Sequence, residues 1–224
     1  MYLVIENILS PQQLEQISSL LSNAEFVDGK LSAGMQAKRV KKNEEVKVSD
    51  RVVERLNHLV MNSLLQHPQY QSAVFPYRVA IPFYARYTTG MAYGDHVDDP
   101  VMGPMSGRYR SDVSTTIFLN PPEEYQGGEL CINTPFGEKR VKLSAGDAVV
   151  YPSSSWHRVE EVTDGVRLVA VTWTQSMVRD AEKRELLYEL GSARDSLIES
   201  QPDSEETAKV STSYVNLLRM WSDV

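Results

Sequence analysis

Cysteine is almost absent from this chain of 224 residues, because Cys131 is the single one. One cysteine cannot form a disulfide within the chain, and it cannot supply the cysteine pairs of a structural zinc site. No apolar run approaches the roughly 18 residues of a membrane-spanning helix, and the opening segment MYLVIENILS lacks the features of a signal peptide. We therefore expect a cytoplasmic protein with no membrane partner.

Positive charge is also in deficit. The chain has 23 Lys and Arg residues against 30 Asp and Glu residues, which gives a formal net charge of −7. An acidic balance of this kind is not typical of proteins that bind nucleic acids or membrane surfaces. We therefore expect no nucleic-acid partner, and we interpret the one local basic segment, KRVKK at residues 38–42, as an exposed loop.

Helical signals lie at the two ends of the chain. Near the N-terminus, Ser10 and Gln13 form a capping-box pattern at the start of SPQQLEQISSLL, and a second helix is predicted from about Asp50 to Gln66. After Gln175, apolar residues again have helical spacing in SMVRDAEKRELLYEL, which predicts a helix with Leu186 among its apolar positions. A last helix carries an apolar stripe that consists of Val210, Tyr214, Leu217, Leu218 and Trp221.

The middle of the chain has a different character. From about Tyr77 to Gln175, short β-rich runs such as VSTTIFLN and VRLVAVTWT alternate with turn signals, which is typical of a β-sandwich or barrel. We predict an α+β protein with one domain at residues 1–175, in which N-terminal helices (1–76) precede a β core (77–175). A helical extension (176–224) is expected to pack on the core or on a second subunit, as in a homodimer.

A histidine and an aspartate stand two positions apart in the segment YGDHVDDP. In a strand, residues i and i+2 point to the same face, so His96 and Asp98 are expected to project together. An imidazole and a carboxylate on one face are two of the three ligands of a facial iron(II) site, which leaves open positions for co-substrate and oxygen. The pair alone is a weak signal, because it also arises by chance.

Two downstream residues strengthen the interpretation. His157 opens the β-run WHRVEEV and can serve as the third ligand, and Arg167 follows ten residues later. The Asp164-Gly165 dipeptide predicts a tight hairpin that places the Arg167 strand beside the His157 strand. A buried arginine needs an anionic partner, and a dicarboxylate co-substrate supplies one. The remaining histidines, His58 and His67, are predicted to be surface or helix-cap residues.

Several segments together resemble a known family. The quoted segments are HVD, STTIFLN, YQGGEL, AGDAVVYPSSSWHRVEEVTDGVR, SAGMQAKRVKKN and QSMVRDAEKRELLYEL. With these the chain resembles the iron(II)/2-oxoglutarate dioxygenases of the prolyl hydroxylase type, and more narrowly the bacterial PKHD-type hydroxylases. The resemblance extends over nearly the whole chain, so it is more specific than the ligand pattern alone.

The resemblance implies a fold and a set of cofactors. It implies a double-stranded β-helix, or jelly roll, in which His96, Asp98 and His157 bind iron(II) and Arg167 binds the co-substrate 2-oxoglutarate. Related hydroxylases have a tyrosine near the co-substrate at about the place of Tyr87. The further reactants implied are O₂, ascorbate as an accessory reductant, and a peptide, protein or small-molecule substrate with a prolyl or prolyl-like group.

Two alternatives to a 2-oxoglutarate-dependent hydroxylase stay open at the level of sequence. One is a cupin-type metal enzyme that does not use 2-oxoglutarate, against which Arg167 argues. The other is a non-catalytic sensor or binding module on the same fold, against which the intact ligand set argues. The sequence does not identify the substrate, although it places the loops that would select it at residues 34–43, 88–94 and 101–112.

Overall fold

The computed structural model describes residues 1–35, 37–48 and 51–224. Its helices are α1 (Pro11–Leu21), α2 (Val52–Gln66), α3 (Pro68–Val74), α4 (Ala181–Ser200) and α5 (Glu205–Trp221). Its strands are β1 (Leu3–Ile5), β2 (Phe26–Asp28), β3 (Lys41–Lys42), β4 (Glu44–Val46), β5 (Pro76–Val79), β6 (Phe83–Thr88), β7 (Ala92–His96), β8 (Val101–Met102), β9 (Tyr109–Arg110), β10 (Val113–Phe118), β11 (Tyr125–Gly127), β12 (Leu130–Thr134), β13 (Gly137–Val141), β14 (Ala148–Pro152), β15 (His157–Val159) and β16 (Val162–Ser176).

Two antiparallel sheets form the centre of the molecule. The larger has the strand order β1-β14-β10-β16-β6-β4-β2, with β5 and β11 also paired to the long strand β16. The smaller has the order β13-β12-β15-β7-β3, and β8 and β9 form a separate ribbon. The sheets face each other around a cavity, so the predicted α+β fold with a jelly-roll core is confirmed.

Side chains along the central strands point alternately to the two faces of the larger sheet, and each face contacts a different part of the core. On β10, Val113 and Ile117 point to a core shared with the N-terminal helices, whereas Phe118 points to the space between the two sheets. Both faces are therefore covered, and every residue of β10 is buried. A strand buried on both faces usually reads as a nearly continuous apolar run, and VSTTIFLN departs from this pattern at Ser114, Thr115 and Thr116.

The N-terminal helices pack on the outer face of the larger sheet. Helix α1 begins with the predicted capping box, in which the Ser10 hydroxyl accepts from the Gln13 amide. Helix α2 buries the side chains of Leu56, Val60 and Leu64 completely. Each such side chain contributes about 1.5–3 kcal/mol of hydrophobic stabilisation. The predicted start of α2 at Asp50 lies outside the described residues, and its end at Gln66 is confirmed.

The C-terminal helices form a small apolar cluster with the core. Val178, Leu187 and Tyr214 are buried against Phe75, which follows helix α3. In α4 the buried position is Leu187, not the predicted Leu186, which is exposed. The apolar position predicted from the sequence is therefore off by one residue at this point of α4. The reason is that the contacts of α4 with α3 and α5 determine which face of the helix is covered. The division of the chain at residue 175 remains a prediction.

The predicted hairpin at Asp164-Gly165 is wrong. Both residues lie inside β16, where Gly165 pairs with Tyr125 of β11. Gly165 has a φ of +76°, and a Cβ there would lie 2.1 Å from the Glu124 carbonyl oxygen, so the glycine permits a close approach of two strands. The Arg167 strand consequently belongs to the larger sheet, opposite the sheet that contains His157.

Within the described part of the chain, none of the helices combines the length and the apolar character that crossing a membrane requires.

Candidate active site

The structure brings His96, Asp98 and His157 together at one end of the cavity. His96 ends β7 and His157 begins β15, and the two residues are direct cross-strand partners. Asp98 lies just past the end of β7, so its carboxylate reaches the same place. Among the described residues, these three form the one group of three or more potential metal ligands, and one ligand atom from each lies within 4.8 Å of the others.

The orientation of the two imidazoles suits metal binding. Nδ1 of His96 lies 2.8 Å from the Gly94 carbonyl oxygen, and Nδ1 of His157 lies 2.9 Å from the Ser155 carbonyl oxygen. A carbonyl can only accept, so each Nδ1 carries the proton and each Nε2 keeps its lone pair. The two Nε2 atoms lie 4.0 and 3.9 Å from Asp98 Oδ1. All three ligand atoms therefore face one point.

Burial keeps the imidazole of His96 neutral. Loss of hydration, together with the neighbouring His157, lowers the pKa of His96 to about 4. The Tyr93 ring stacks on His96 with 3.7 Å between the ring centroids, which contributes to this burial. At pH 7 the lone pair of His96 Nε2 is therefore free for a metal, because no proton competes for it.

The outer oxygen of Asp98 is held by a serine. Ser114 donates a hydrogen bond of 2.5 Å to Asp98 Oδ2, and the Ser114 hydroxyl lies 2.8 Å from that of Ser153. Both serines are buried. The hydrogen bond fixes the rotation of the carboxylate and leaves Oδ1 directed at the two histidines. Such outer contacts orient metal ligands and strengthen metal binding.

Arg167 lies deeper in the cavity and is only 1% exposed. Its Nε has no hydrogen-bond partner among the described residues, and none of their carboxylates forms an ion pair with it. Gly128, with a φ of +69°, leaves room for the side chain, because a Cβ there would lie 3.1 Å from Arg167 Cδ. A buried, uncompensated guanidinium is costly unless an anion binds it.

Two aromatic rings flank Arg167. Tyr87 is its cross-strand partner on β6, and the Tyr87 ring centroid lies 5.0 Å from the guanidinium carbon. Burial raises the pKa of Tyr87 to about 12, so its hydroxyl keeps its proton over the physiological range. The centre of the Phe118 ring lies 5.5 Å from the guanidinium carbon, and this ring has no hydroxyl to contribute.

A cavity of about 420 Å³ connects these groups. His96, Asp98, His157, Tyr87 and Arg167 all line it. Its remaining wall has apolar residues from the larger sheet and polar residues from the N-terminal segment, which are Phe83, Val171, Trp173, Ser32, Lys41, Asn43 and Glu45. The cavity is of the size that small-molecule sites commonly have.

Sequence reasoning missed Ser114, which holds Asp98, and two charged residues of the cavity, Lys41 and Glu45. Ser114 was not singled out, although it shares the inward parity of Phe118 within an apolar strand. The interpretation of the basic segment 38–42 as an exposed loop is wrong for Lys41, because this residue is buried in strand β3. Glu45 was not considered. A polar residue at an inward position of a buried strand is a signal for Ser114, whereas the pairing of Lys41 with Glu45 depends on how two sheets meet.

Other polar and aromatic side chains lie elsewhere relative to the ligand group. Trp173 lines the cavity with an Nε1 that has no partner among the described residues, and Asp99 lies at the mouth, against Gly34. Asp112 accepts from Arg110 and from the Ser176 amide, so this pair attaches the C-terminal segment to the core. His58 is exposed on α2, and His67 separates α2 from α3, as predicted. Neither belongs to the ligand group.

Comparison with protein families gives two matches. Residues 82–175 match the model of the 2OG-Fe(II) oxygenase superfamily, and residues 181–223 match the PKHD-type hydroxylase C-terminal domain. A PKHD-type hydroxylase of Thioalkalivibrio sulfidiphilus is 53% identical over the full length of both chains, and one of Gloeothece citriformis is 46% identical over the same share. The PKHD-type hydroxylase YbiX of Escherichia coli is 42% identical over 98% of each chain.

Solved structures share the fold at low identity. A prolyl hydroxylase from Trichoplax adhaerens in complex with a hypoxia inducible factor peptide fragment has a TM-score of 0.57, with 17% identity over 83% of this chain and 86% of its own. A Pseudomonas putida prolyl-4-hydroxylase has a TM-score of 0.53, with 16% identity over 78% and 92%. HygX from Streptomyces hygroscopicus, with nickel, 2-oxoglutarate and hygromycin B bound, has a TM-score of 0.54, with 15% identity over 79% and 84%.

Proposed function

Because the chain belongs to the PKHD-type hydroxylases, which are iron(II)- and 2-oxoglutarate-dependent dioxygenases, we propose that its cavity hydroxylates a prolyl or prolyl-like C–H group. His96, Asp98 and His157 are the proposed metal ligands, and Arg167 with Tyr87 is the proposed site for the distal carboxylate of 2-oxoglutarate. The observation that carries these assignments is one cavity with three convergent ligand atoms and an uncompensated buried guanidinium.

The three proposed ligands fit iron(II). Two neutral imidazoles and one carboxylate are the donor set of the facial triad, which leaves coordination positions open for other ligands. Backbone carbonyls hold both imidazoles and Ser114 holds the carboxylate, so contacts within the protein fix the direction of all three donor groups. These contacts would orient the ligands for the metal.

Arg167 and Tyr87 fit a carboxylate. The guanidinium offers parallel N–H donors that match a carboxylate in a bidentate pair, and a lysine cannot reproduce this geometry. The Tyr87 hydroxyl keeps its proton because burial raises its pKa to about 12, so it serves as a further donor. Compensation of the buried charge by 2-oxoglutarate removes the penalty that Arg167 carries alone.

Iron(II) and 2-oxoglutarate together activate O₂ for C–H hydroxylation, with succinate and carbon dioxide as the other products. This chain holds the reactants in fixed positions and limits the access of water to them. Tyr93 covers one side of His96 by stacking, and the Tyr151 ring lies 5.2 Å from His157. These rings shield the ligands from solvent.

A prolyl substrate is the finer part of the proposal. Two of the structural neighbours are named prolyl hydroxylases, and one of them is described in complex with a peptide fragment. Phe83, Val171 and Trp173 offer an apolar wall for a saturated ring next to the ligand group. The alternatives of a cupin-type enzyme without 2-oxoglutarate and of a non-catalytic module are not favoured by the family matches.

Several finer statements belong to the proposal as well. Ascorbate as accessory reductant and a cytoplasmic location stay predictions from the sequence. A homodimer also stays a prediction, which the exposed apolar residues Leu186, Val215 and Met220 on α4 and α5 favour. The proposed division is a dioxygenase domain at residues 1–175 and an extension at 176–224.

The proposal is tested by co-substrate turnover. The full chain, loaded with iron(II) under anaerobic conditions, should release succinate from 2-oxoglutarate when O₂ is admitted, and a prolyl peptide should increase the rate and gain one oxygen atom. Mass spectrometry of the peptide and quantification of succinate measure both results. Succinate release without oxygen gain in any prolyl compound would refute the substrate and leave the dioxygenase assignment intact.

A further inference from the structure

Two charged side chains line the cavity and have no role in the proposed chemistry. Lys41 lies on β3 and Glu45 on β4, and each is only 7% exposed. Lys41 Nζ lies 2.5 Å from Glu45 Oε1 and donates a second hydrogen bond to Ser32 at 3.0 Å. Burying two charges is expensive, and an ion pair of this kind often gives no net stability. Stability alone therefore does not explain why this ion pair lies in the cavity of the candidate active site.

The pair joins the two sheets beside the ligand group. Lys41 pairs with Tyr93 of β7 in the smaller sheet, and Glu45 pairs with Ala85 of β6 in the larger sheet. The Lys41 ammonium lies 5.3 Å from the centre of the Tyr93 ring, which in turn stacks on His96. The negative charge of Glu45 contributes to the raised pKa of Tyr87 and of Tyr93. The ion pair thus belongs to the N-terminal segment and lines the same cavity as the proposed metal ligands and Arg167.

The charges of the inner cavity would balance without the substrate. The two positive charges of iron(II) and the one of Arg167 would be matched by Asp98 and by the two carboxylates of 2-oxoglutarate. Lys41 and Glu45 neutralise each other. Asp99 adds one negative charge, but it is an exposed residue of the mouth. A charged group that entered the buried space beside Lys41 and Glu45 would therefore find no free counter-charge there, and burial without one is strongly unfavourable. The group that this inner space accepts is uncharged.

The ion pair still has hydrogen-bonding capacity. Glu45 lines the cavity, and its Oε2 has no hydrogen-bond partner among the described residues. Lys41 uses two of its three N–H groups on Glu45 and Ser32. One acceptor and one donor side by side complement a single amide, whose N–H donates and whose carbonyl accepts.

We propose that Lys41 and Glu45 form a specificity-determining subsite that binds an uncharged amide group of the substrate. The inference rests on the proposed function and narrows its substrate to a compound whose amino and carboxyl groups are joined in amide bonds, as in a peptide. A free amino acid, which carries two charges, is excluded from the subsite. The role proposed for the two charged residues is substrate selection, and not the binding of the metal or of 2-oxoglutarate.

The test uses two matched sets of probes. One set contains N-acetyl amino acid N-methylamides, and the other contains the same amino acids in free form, with proline among several side chains in each. Binding is measured by titration calorimetry to the full chain loaded with nickel(II) and 2-oxoglutarate, because nickel(II) does not support turnover. The variant is Lys41→Met/Glu45→Leu, since removal of one partner alone leaves a buried unpaired charge.

A second ion pair provides the matched control. Lys47 and Glu25 lie 3.0 Å apart in the same part of the chain, but both are exposed and neither lines the cavity. The control variant is Lys47→Met/Glu25→Leu. We expect wild type and control to bind capped amides and not free amino acids, and the Lys41→Met/Glu45→Leu variant to lose at least about tenfold in amide affinity. Nickel(II) and 2-oxoglutarate affinities should be unchanged in both variants.

The other possible results contradict either the proposed subsite or the proposed prolyl substrate. Unchanged amide affinity in the variant, tighter binding of free amino acids by wild type, or no binding of either set would overturn the subsite. Loss of 2-oxoglutarate affinity in the variant would place the pair in the co-substrate site and overturn it as well. If capped amides other than proline bind and capped proline does not, the subsite stands and the prolyl substrate of the proposed function fails.

Discussion

Ser114 donates its hydroxyl proton to Asp98 across the interior of the molecule, with 2.5 Å between Ser114 Oγ and Asp98 Oδ2. The two residues come from different segments, since Ser114 lies in β10 of the larger sheet and Asp98 follows β7 of the smaller one. This contact selects which carboxylate oxygen faces the histidines. The orientation of one proposed metal ligand therefore depends on a residue that does not touch the metal.

Replacement of Ser114 by alanine tests this contact. We expect Ser114→Ala to lower nickel(II) affinity by about tenfold to a hundredfold, because the Asp98 carboxylate is then free to rotate. Calorimetric titration of the metal measures the change. Thr115→Val is the matched control: Thr115 lies next in the strand, and its hydroxyl has no partner among the described residues. Equal metal affinity in Ser114→Ala and Thr115→Val would show that the hydrogen bond does not orient Asp98.

Removal of a proposed ligand should abolish metal binding while the fold persists. In His157→Ala the metal keeps two protein ligands, so we expect loss of stoichiometric nickel(II) binding and of succinate release, with an unchanged circular dichroism spectrum. His58→Ala is the control, because His58 is an exposed histidine on α2. Normal turnover by His157→Ala would refute its assignment as a ligand.

Arg167→Lys should affect the co-substrate and spare the metal. A lysine keeps the charge but loses the bidentate geometry, so the KM for 2-oxoglutarate should rise by at least about tenfold while nickel(II) affinity stays the same. Arg86→Lys serves as the control, since Arg86 lies on β6 next to Tyr87 and pairs with Glu44 away from the cavity. A crystal of the protein with N-oxalylglycine bound elsewhere would contradict the assignment.

Two neighbouring leucines of α4 test the packing of the C-terminal extension. Leu187 is 0% exposed and Leu186 is 56% exposed. We expect Leu187→Ala to lower the free energy of unfolding by about 2–5 kcal/mol through lost burial and a cavity. Leu186→Ala should change it by about 0.5 kcal/mol or less. Urea unfolding measures both, and equal values for the two variants would contradict the observed phase of the helix.

The thiol of Cys131 should be unreactive in the folded protein. Burial raises its pKa from 9.0 to about 11, with nearby Arg158 acting in the opposite direction, so little thiolate exists at pH 8. We expect iodoacetamide to modify Cys131 in urea and not in buffer. Because the folded pKa is raised, the contribution of the thiol to stability is full below about pH 8.5 and is lost as the pH rises towards 11. Wild type should therefore lose more stability than Cys131→Ala between pH 8 and pH 10.

Residue types and local periods made much of this protein predictable. The capping box at Ser10 and the buried stripe of α2 depend on contacts within one helix or on its 3.6-residue period, and the structure has both. The spacing of His96 and Asp98 predicted that their side chains project together, and they do lie in one group. The family resemblance added the wider expectation of the fold, since its segments extend along nearly the whole chain.

Long-range register was decided by the tertiary structure alone. Nothing local in the sequence states that His157 stands opposite His96, that Ser114 reaches Asp98, or that Arg167 belongs to the sheet facing His157. The Asp164-Gly165 dipeptide has the local preference of a hairpin, yet it lies within a strand, because its neighbours on β11 approach too closely for any side chain at 165. The sequence by itself determined which chemical groups are available and, in a helix such as α2, which residues share one face. In α4 the contacts with α3 and α5 decided which face is covered. The convergence of the chemical groups in one cavity was determined by pairing between distant strands, because the free energy of such pairing comes from burial across the sheets and not from neighbours along the chain.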